Sequence, residues 1–138
     1  MRYIGLDLGS RTLGISLSDQ SGIIASSYKI IRHDEEYEKL VLEVKEIVKE
    51  MKIEKIVLGL PKNMNNTIGP KGELSYKFKE MLEKEIGLEV VLVDERLTTR
   101  EANTILLAND TSRKKRKKVI DSMAATIILQ SYLDRVKK

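Results

Sequence analysis

The sequence predicts an α/β domain built on one mixed five-stranded sheet, three antiparallel strands and then a βαβα arrangement, flanked by helices. Three observations carry that prediction. Residues 2–19 hold two apolar, glycine-punctuated runs of period two, joined by a three-residue connection. From Glu35 the period changes to the three-and-four spacing of a helix face. Two short apolar runs, Lys55 to Leu60 and Leu88 to Asp94, each follow a helical stretch, the pattern of strands covered on both faces.

In chain order, Tyr3, Gly5 and Asp7 fall on one face of the first strand, with Ile4, Leu6 and Leu8 on the other. Thr12 to Asp19 alternates Leu13, Ile15 and Leu17 against smaller residues and follows after Gly9, Ser10 and Arg11, so the two strands read as a hairpin. Gln20, Ser21 and Gly22 make the next turn, and Ile23 to Ile31 completes a three-stranded meander. Tyr37, Leu40, Val41, Val44, Ile47, Val48 and Met51 mark an amphipathic helix. His33, the only histidine, precedes it and reads as a surface residue without a catalytic part.

Pro61 ends the fourth strand, and the polar segment Lys62 to Pro70 leads into a helix striped by Leu74, Phe78, Met81, Leu82 and Ile86. Loops at the carboxyl ends of parallel strands are where such sheets bind ligands. The fifth strand delivers Asp94 and Glu95 beside Arg96. Thr98 with Glu101 forms a capping box, which predicts a helix from about Thr99 that fades near Asn109. After Asp110, Thr111 and Ser112 comes a basic run and then a last helix, with Ile120, Met123, Ala124, Ile127, Ile128 and Ser131 on one face and Asp121 in its first apolar turn.

A chain of 138 residues, 41% hydrophobic and 33% charged, is expected to fold as a single domain over 1–138. There is no cysteine, hence no disulfide, no thiolate nucleophile and no zinc site built on cysteine. The first ten residues contain Asp7 and lack a signal-type apolar core, and no apolar run approaches a membrane span, so the expected location is cytoplasmic. Arg113, Lys114, Lys115, Arg116, Lys117 and Lys118 supply more positive charge than the whole net excess of +4. A basic excess concentrated in one run is the footprint of a polyanion partner, although a solvated loop has the same composition.

Three carboxylates in different elements stand out. Asp7 lies inside a buried strand, where a lone charge is costly unless it is paired or binds a cation. The glycines beside it leave room for a phosphate, a cation or another backbone. It could equally cap a turn or meet a buried Lys or Arg. Glu95 or Asp94 follows the last strand. Asp121 alone is explained by the helix macrodipole, which favours an acid near a helix N-terminus. Ala124 and Ala125 let that helix lie close to the sheet, carrying Asp121 toward the strand ends. Only a fold can bring these acids together, and the element order corresponds to a ribonuclease H-like layout, with the first strand central and the fourth beside it.

The blocks GLDLGSRTLGISLSD, VLGLPKNM, VDERLTTREAN and RKKRKKVIDSMAATIILQSYL, in that order, resemble the YqgF (RuvX) family, described as pre-16S rRNA nucleases and as Holliday junction resolvases. The resemblance covers nearly the whole chain. It implies a ribonuclease H-like fold, acidic active-site residues at Asp7, Glu95 and Asp121, and a preference for Glu95 over Asp94. Asn65 with Asn66 departs from the acid and glycine that many relatives carry, which bears on the loop from Asn63 to Gly69.

Clustered carboxylates without cysteine select Mg2+ or Mn2+. Two such cations about 4 Å apart could clamp a phosphodiester, one activating a water and the other stabilising the leaving oxygen. Arg11, Arg96 and the run from Arg113 to Lys118 are the candidate contacts to backbone phosphates. The expected activity is metal-dependent endonuclease action on structured nucleic acid, 5′-end processing of pre-16S rRNA in ribosome biogenesis or resolution of branched DNA. Ribosome-assembly contacts go with the RNA substrate. Symmetric cutting of a junction calls for a homodimer, RNA end-processing for no more than a monomer. Two other functions compete: a nucleic-acid-binding module without catalysis, and a kinase or ATPase, because the Asp7 hairpin also resembles the first phosphate loop of actin-like ATPases and sugar kinases.

Overall fold

The computed structural model describes residues 1–9, 11–60, 69–94 and 113–136, with backbone only at 70–71 and 113–123. The elements are β1 (Tyr3–Leu8), β2 (Thr12–Ser18), β3 (Ala25–Arg32), α1 (Tyr37–Glu50), β4 (Lys55–Leu60), α2 (Pro70–Ile86), β5 (Val90–Asp94) and α3 (Arg113–Val136). The helix expected from Thr99 and the loop from Asn63 lie outside the described residues, apart from Gly69.

The strands form one sheet in the order β3-β2-β1-β4-β5. β1 and β2 pair antiparallel, as do β2 and β3, whereas β1, β4 and β5 run parallel. β1 is therefore central, as the sequence predicts. Its alternation sends Ile4 and Leu6 to one face, where they join Leu40, Val44, Leu58, Phe78 and Leu82 in a core beneath α1 and α2. The opposite face carries Tyr3, Val57 and Val93 against Ile128, Leu129 and Leu133 of α3. β4 lies between the two layers and is buried along nearly its whole length, which explains why its sequence is continuously apolar rather than alternating.

Local chemistry sets the boundaries. β3 begins at Ala25 rather than Ile23, because the Asp19 carboxylate accepts the backbone N–H of Ile23 at 2.8 Å and of Ile24 at 3.1 Å, holding both in a turn. α1 starts at Tyr37 rather than Glu35, which has a positive φ of 66°. Pro70 opens α2 without wasting a donor, and Gly87, at φ 81°, closes it in the left-handed conformation, which delays β5 to Val90.

The largest correction concerns the basic run. It does not precede the last helix; α3 begins at Arg113 and contains it. Lys and Arg are good helix formers, so nothing in their propensity stops the helix short of the run.

Candidate active site

Asp7 pairs with Gly14 across the β1–β2 hairpin. On that face a Cβ added to Gly14 would stand 3.7 Å from the Cβ of Asp7 and 3.5 Å from that of Ala125 in α3. Asp7 is half-buried, and among the described residues its carboxylate has neither a hydrogen bond nor an ion pair. Among the described residues it neither caps a turn nor meets a buried cation.

Gly5, two residues earlier on the same face, is not open to a phosphate. A Cβ there would lie 2.6 Å from Leu129 Cβ and 2.9 Å from the Ala125 carbonyl oxygen. The glycine admits the backbone of α3. Ser16, directly opposite Gly5, donates its buried hydroxyl to the same Ala125 carbonyl at 2.7 Å. Gly9 serves the turn instead, its N–H donating to Thr12 O at 2.7 Å.

These contacts fix the direction of α3. Leu129 lies over Gly5, and Ala125 lies between Gly5 and Gly14, so the helix runs antiparallel to β1. Asp121 shares the face of Ala125 and Leu129 and stands one turn, about 5.4 Å, further along, toward the end of β1 that carries Asp7. Since α3 begins at Arg113, Asp121 lies two turns inside it. The macrodipole, which acts within the first turn, therefore does not account for an acid there.

Asp94 ends β5 opposite Leu60. Val90 and Leu92 pack beneath α1 and α2, and Val93 packs beneath α3. Alternation thus assigns Asp94 to the face away from Asp7. Glu95 and Arg96 lie outside the described residues, as do the side chains of Asp121 and of Arg113 to Lys118. Among the described residues no three acidic, His or Cys side chains form a metal-binding group. Arg11 is exposed at the hairpin turn, directly after the β1 end.

His33 is not the surface residue that the sequence suggests. It is half-buried, its Nε2 lies 3.2 Å from Gly9 O, and its Nδ1 is 3.1 Å from the Glu35 N–H. The missed signal was its place one residue beyond β3, where the β2–β3 ladder delivers it to the hairpin turn.

A family profile described as "RuvX: Holliday junction resolvase" matches residues 1–135. The chain belongs to the RuvX family. A Listeria monocytogenes relative named "Putative pre-16S rRNA nuclease" is 55% identical over 135 residues, covering 97% of this chain and 98% of its own. A Bacillus subtilis relative of the same name is 53% identical over the same share of each chain. Among solved structures, Thermus thermophilus RuvC in complex with a Holliday junction substrate superposes with a TM-score of 0.60 at 12% identity, over 98% of this chain and 95% of that one. That likeness establishes the RuvC-type ribonuclease H-like fold for this RuvX chain. A ROK hexokinase from Thermus thermophilus also superposes, with a TM-score of 0.51 at 22% identity, but the RuvX chain spans only 38% of it. Among the described residues no helix is long and apolar enough to cross a membrane.

Proposed function

We propose that this RuvX protein is a metal-dependent endonuclease that hydrolyses phosphodiester bonds of structured nucleic acid, with pre-16S rRNA as its substrate. The observation that carries this reading is the state of Asp7, a half-buried carboxylate without a partner among the described residues, on the central strand and under the helix that bears Asp121. A fold that leaves such a group unpaired forgoes stability, and compensation comes from what the group binds.

Asp7, Glu95 and Asp121 are the residues that would hold Mg2+ or Mn2+. The donor chemistry fits: Asp7 offers hard oxygen, the chain has no cysteine, and both ring nitrogens of His33 are engaged elsewhere. When bound, such cations lower the pKa of a water and stabilise negative charge on the leaving oxygen. The chain's own groups position the substrate. Arg11 is presented by the turn that follows Asp7, and the run from Arg113 to Lys118 leads along α3 toward Asp121, so the phosphate backbone would be held from both sides of the acids.

The placement of that run supports a phosphate-binding part. α1 and α2 each have an acid in the first turn and a lysine in the last, as the macrodipole favours. α3 has no acid in its first turn and begins with six consecutive cations at its positive end. Such a local penalty is explained by a polyanion that binds there.

The second reading is resolution of four-way DNA junctions, favoured by the family description and by the RuvC fold. The kinase reading has less support, because the likeness to the hexokinase covers only 38% of that chain and carries the fold alone. The test is cleavage by purified protein, with Mg2+ and with Mn2+, of a precursor rRNA fragment and a four-way junction side by side, with Asp7→Asn as control. Metal-dependent RNA cleavage lost in the variant is the expected result. Cleavage of the junction alone selects the resolvase, and tight binding without any cleavage selects a non-catalytic module.

A further inference from the structure

Among the described residues, His33 fastens the turn between Asp7 and Arg11 from outside the hairpin. His33 donates its backbone N–H to Arg11 O at 2.9 Å and brings Nε2 within 3.2 Å of Gly9 O. It thereby holds carbonyls on both sides of the turn. The partners also dictate the state of the ring. A backbone N–H can only donate, so Nδ1 must accept from Glu35; a carbonyl can only accept, so Nε2 must carry the proton. The imidazole is therefore neutral in its Nε2–H tautomer. The ring meets Tyr37 at 5.5 Å between centroids, tilted by 53°, and Tyr37 meets the fully buried Phe78 at 6.4 Å. The hairpin turn is in this way anchored to the layer of α1 and α2. Glu35, whose N–H completes the arrangement, adopts a φ of 66°, uncommon for a residue other than glycine.

We infer that His33 is a positioning residue for the candidate active site: as a neutral Nε2–H donor it fixes the Gly9 carbonyl, and with it the path from Asp7 to the phosphate-contacting Arg11. The inference rests on the nuclease reading of Asp7. Its effect passes through the backbone, so His33 touches neither cation nor substrate. A hairpin turn released from it would still pair through β1 and β2, but Asp7 and Arg11 would sample several relative positions. Metal-bound states would then carry an ordering cost that the native turn has already met.

Because the chain has one histidine, long-range proton–nitrogen spectra of uniformly labelled protein read its ring without assignment ambiguity. The expected result is the Nε2–H tautomer; an Nδ1–H tautomer or a freely averaging ring overturns the inference. His33→Ala and His33→Gln supply the second arm, since glutamine keeps a side-chain donor. In His33→Ala the Mg2+ concentration for half-maximal RNA cleavage is expected to rise about tenfold, with KM for RNA changed less, and His33→Gln is expected to recover part of the loss. A lowered Tm with an unchanged Mg2+ midpoint in the folded protein would mean a structural role only and sinks the proposal. If the wild-type chain cleaves nothing, the nuclease reading fails, and Mn2+ broadening of the amide signals from Asp7 to Arg11 decides the matter alone. Equal broadening at equal Mn2+ in wild type and His33→Ala overturns the positioning role, whereas a higher Mn2+ requirement in the variant upholds it.

Discussion

The Ser16 hydroxyl donates to the Ala125 carbonyl at 2.7 Å, directly opposite the glycine whose missing side chain lets that carbonyl approach. Gly5, Ser16 and Ala125 together set the height of α3 above the sheet, and so the height of Asp121 one turn further on. Gly5→Ala should force the helix outward, because its Cβ would lie 2.6 Å from Leu129 Cβ. A loss of about 1–3 kcal/mol is expected in urea unfolding. Ser16→Ala keeps the close approach and loses one hydrogen bond, about 1 kcal/mol. If α3 also sets the candidate site, Gly5→Ala weakens Mg2+ binding more than Ser16→Ala does.

Much of this was legible in the sequence. Period-two alternation put Tyr3, Gly5 and Asp7 on one face, and the apolar character of Lys55 to Leu60 announced a covered strand. Alanines at 124 and 125 announced a helix lying close to the sheet. What parity cannot report is the occupant of a space: Gly5 was compatible with a phosphate or a backbone, and the structure fills it with α3. His33 was illegible for a related reason. Its partners are a turn carbonyl 24 residues away and the amide of Glu35, in a turn that closes only in the folded chain. The start of α3 was hidden because its apolar stripe begins at Ile120, well after the helix itself.

The basic run yields a prediction about salt. Each lysine that neutralises a phosphate releases counterions, so the logarithm of affinity should fall linearly with the logarithm of salt concentration. Replacing Lys114 and Lys117 by Gln is expected to weaken binding of a precursor rRNA fragment and of unrelated RNA alike, and to flatten the salt slope by about one unit for each phosphate left without its lysine. An unchanged slope in fluorescence anisotropy would show that the run does not touch the substrate.

Asp19 gives a pH dependence outside the site. The Ser21 hydroxyl and the amides of Ile24 and Ile23 hold its carboxyl down at about 2, against an ordinary value of 3.8. A depressed carboxyl favours the folded state above the unfolded value, and that contribution disappears as pH falls from about 3.8 through about 2. Asp19→Asn keeps an acceptor for both amides but does not titrate. In thermal melts the wild type should exceed the variant near neutral pH, with the difference closing across that acid window.

Asp7 allows function and stability to be separated. Its carboxylate is half-buried and has neither a hydrogen bond nor an ion pair among the described residues, an arrangement that is costly for a charged group unless something binds it. Asp7→Asn removes the charge at nearly constant volume. The variant should be at least as stable as the wild type in metal-free buffer, by about 0–1 kcal/mol, as expected where a site trades stability for activity. Saturating Mg2+ should stabilise the wild type and leave the variant unaffected, because only a ligand that binds the folded state shifts its unfolding. Urea titrations with and without Mg2+ measure all four states. Destabilisation of Asp7→Asn in metal-free buffer would show that the carboxylate has a structural partner after all, and an equal Mg2+ effect in both proteins would move the cation elsewhere.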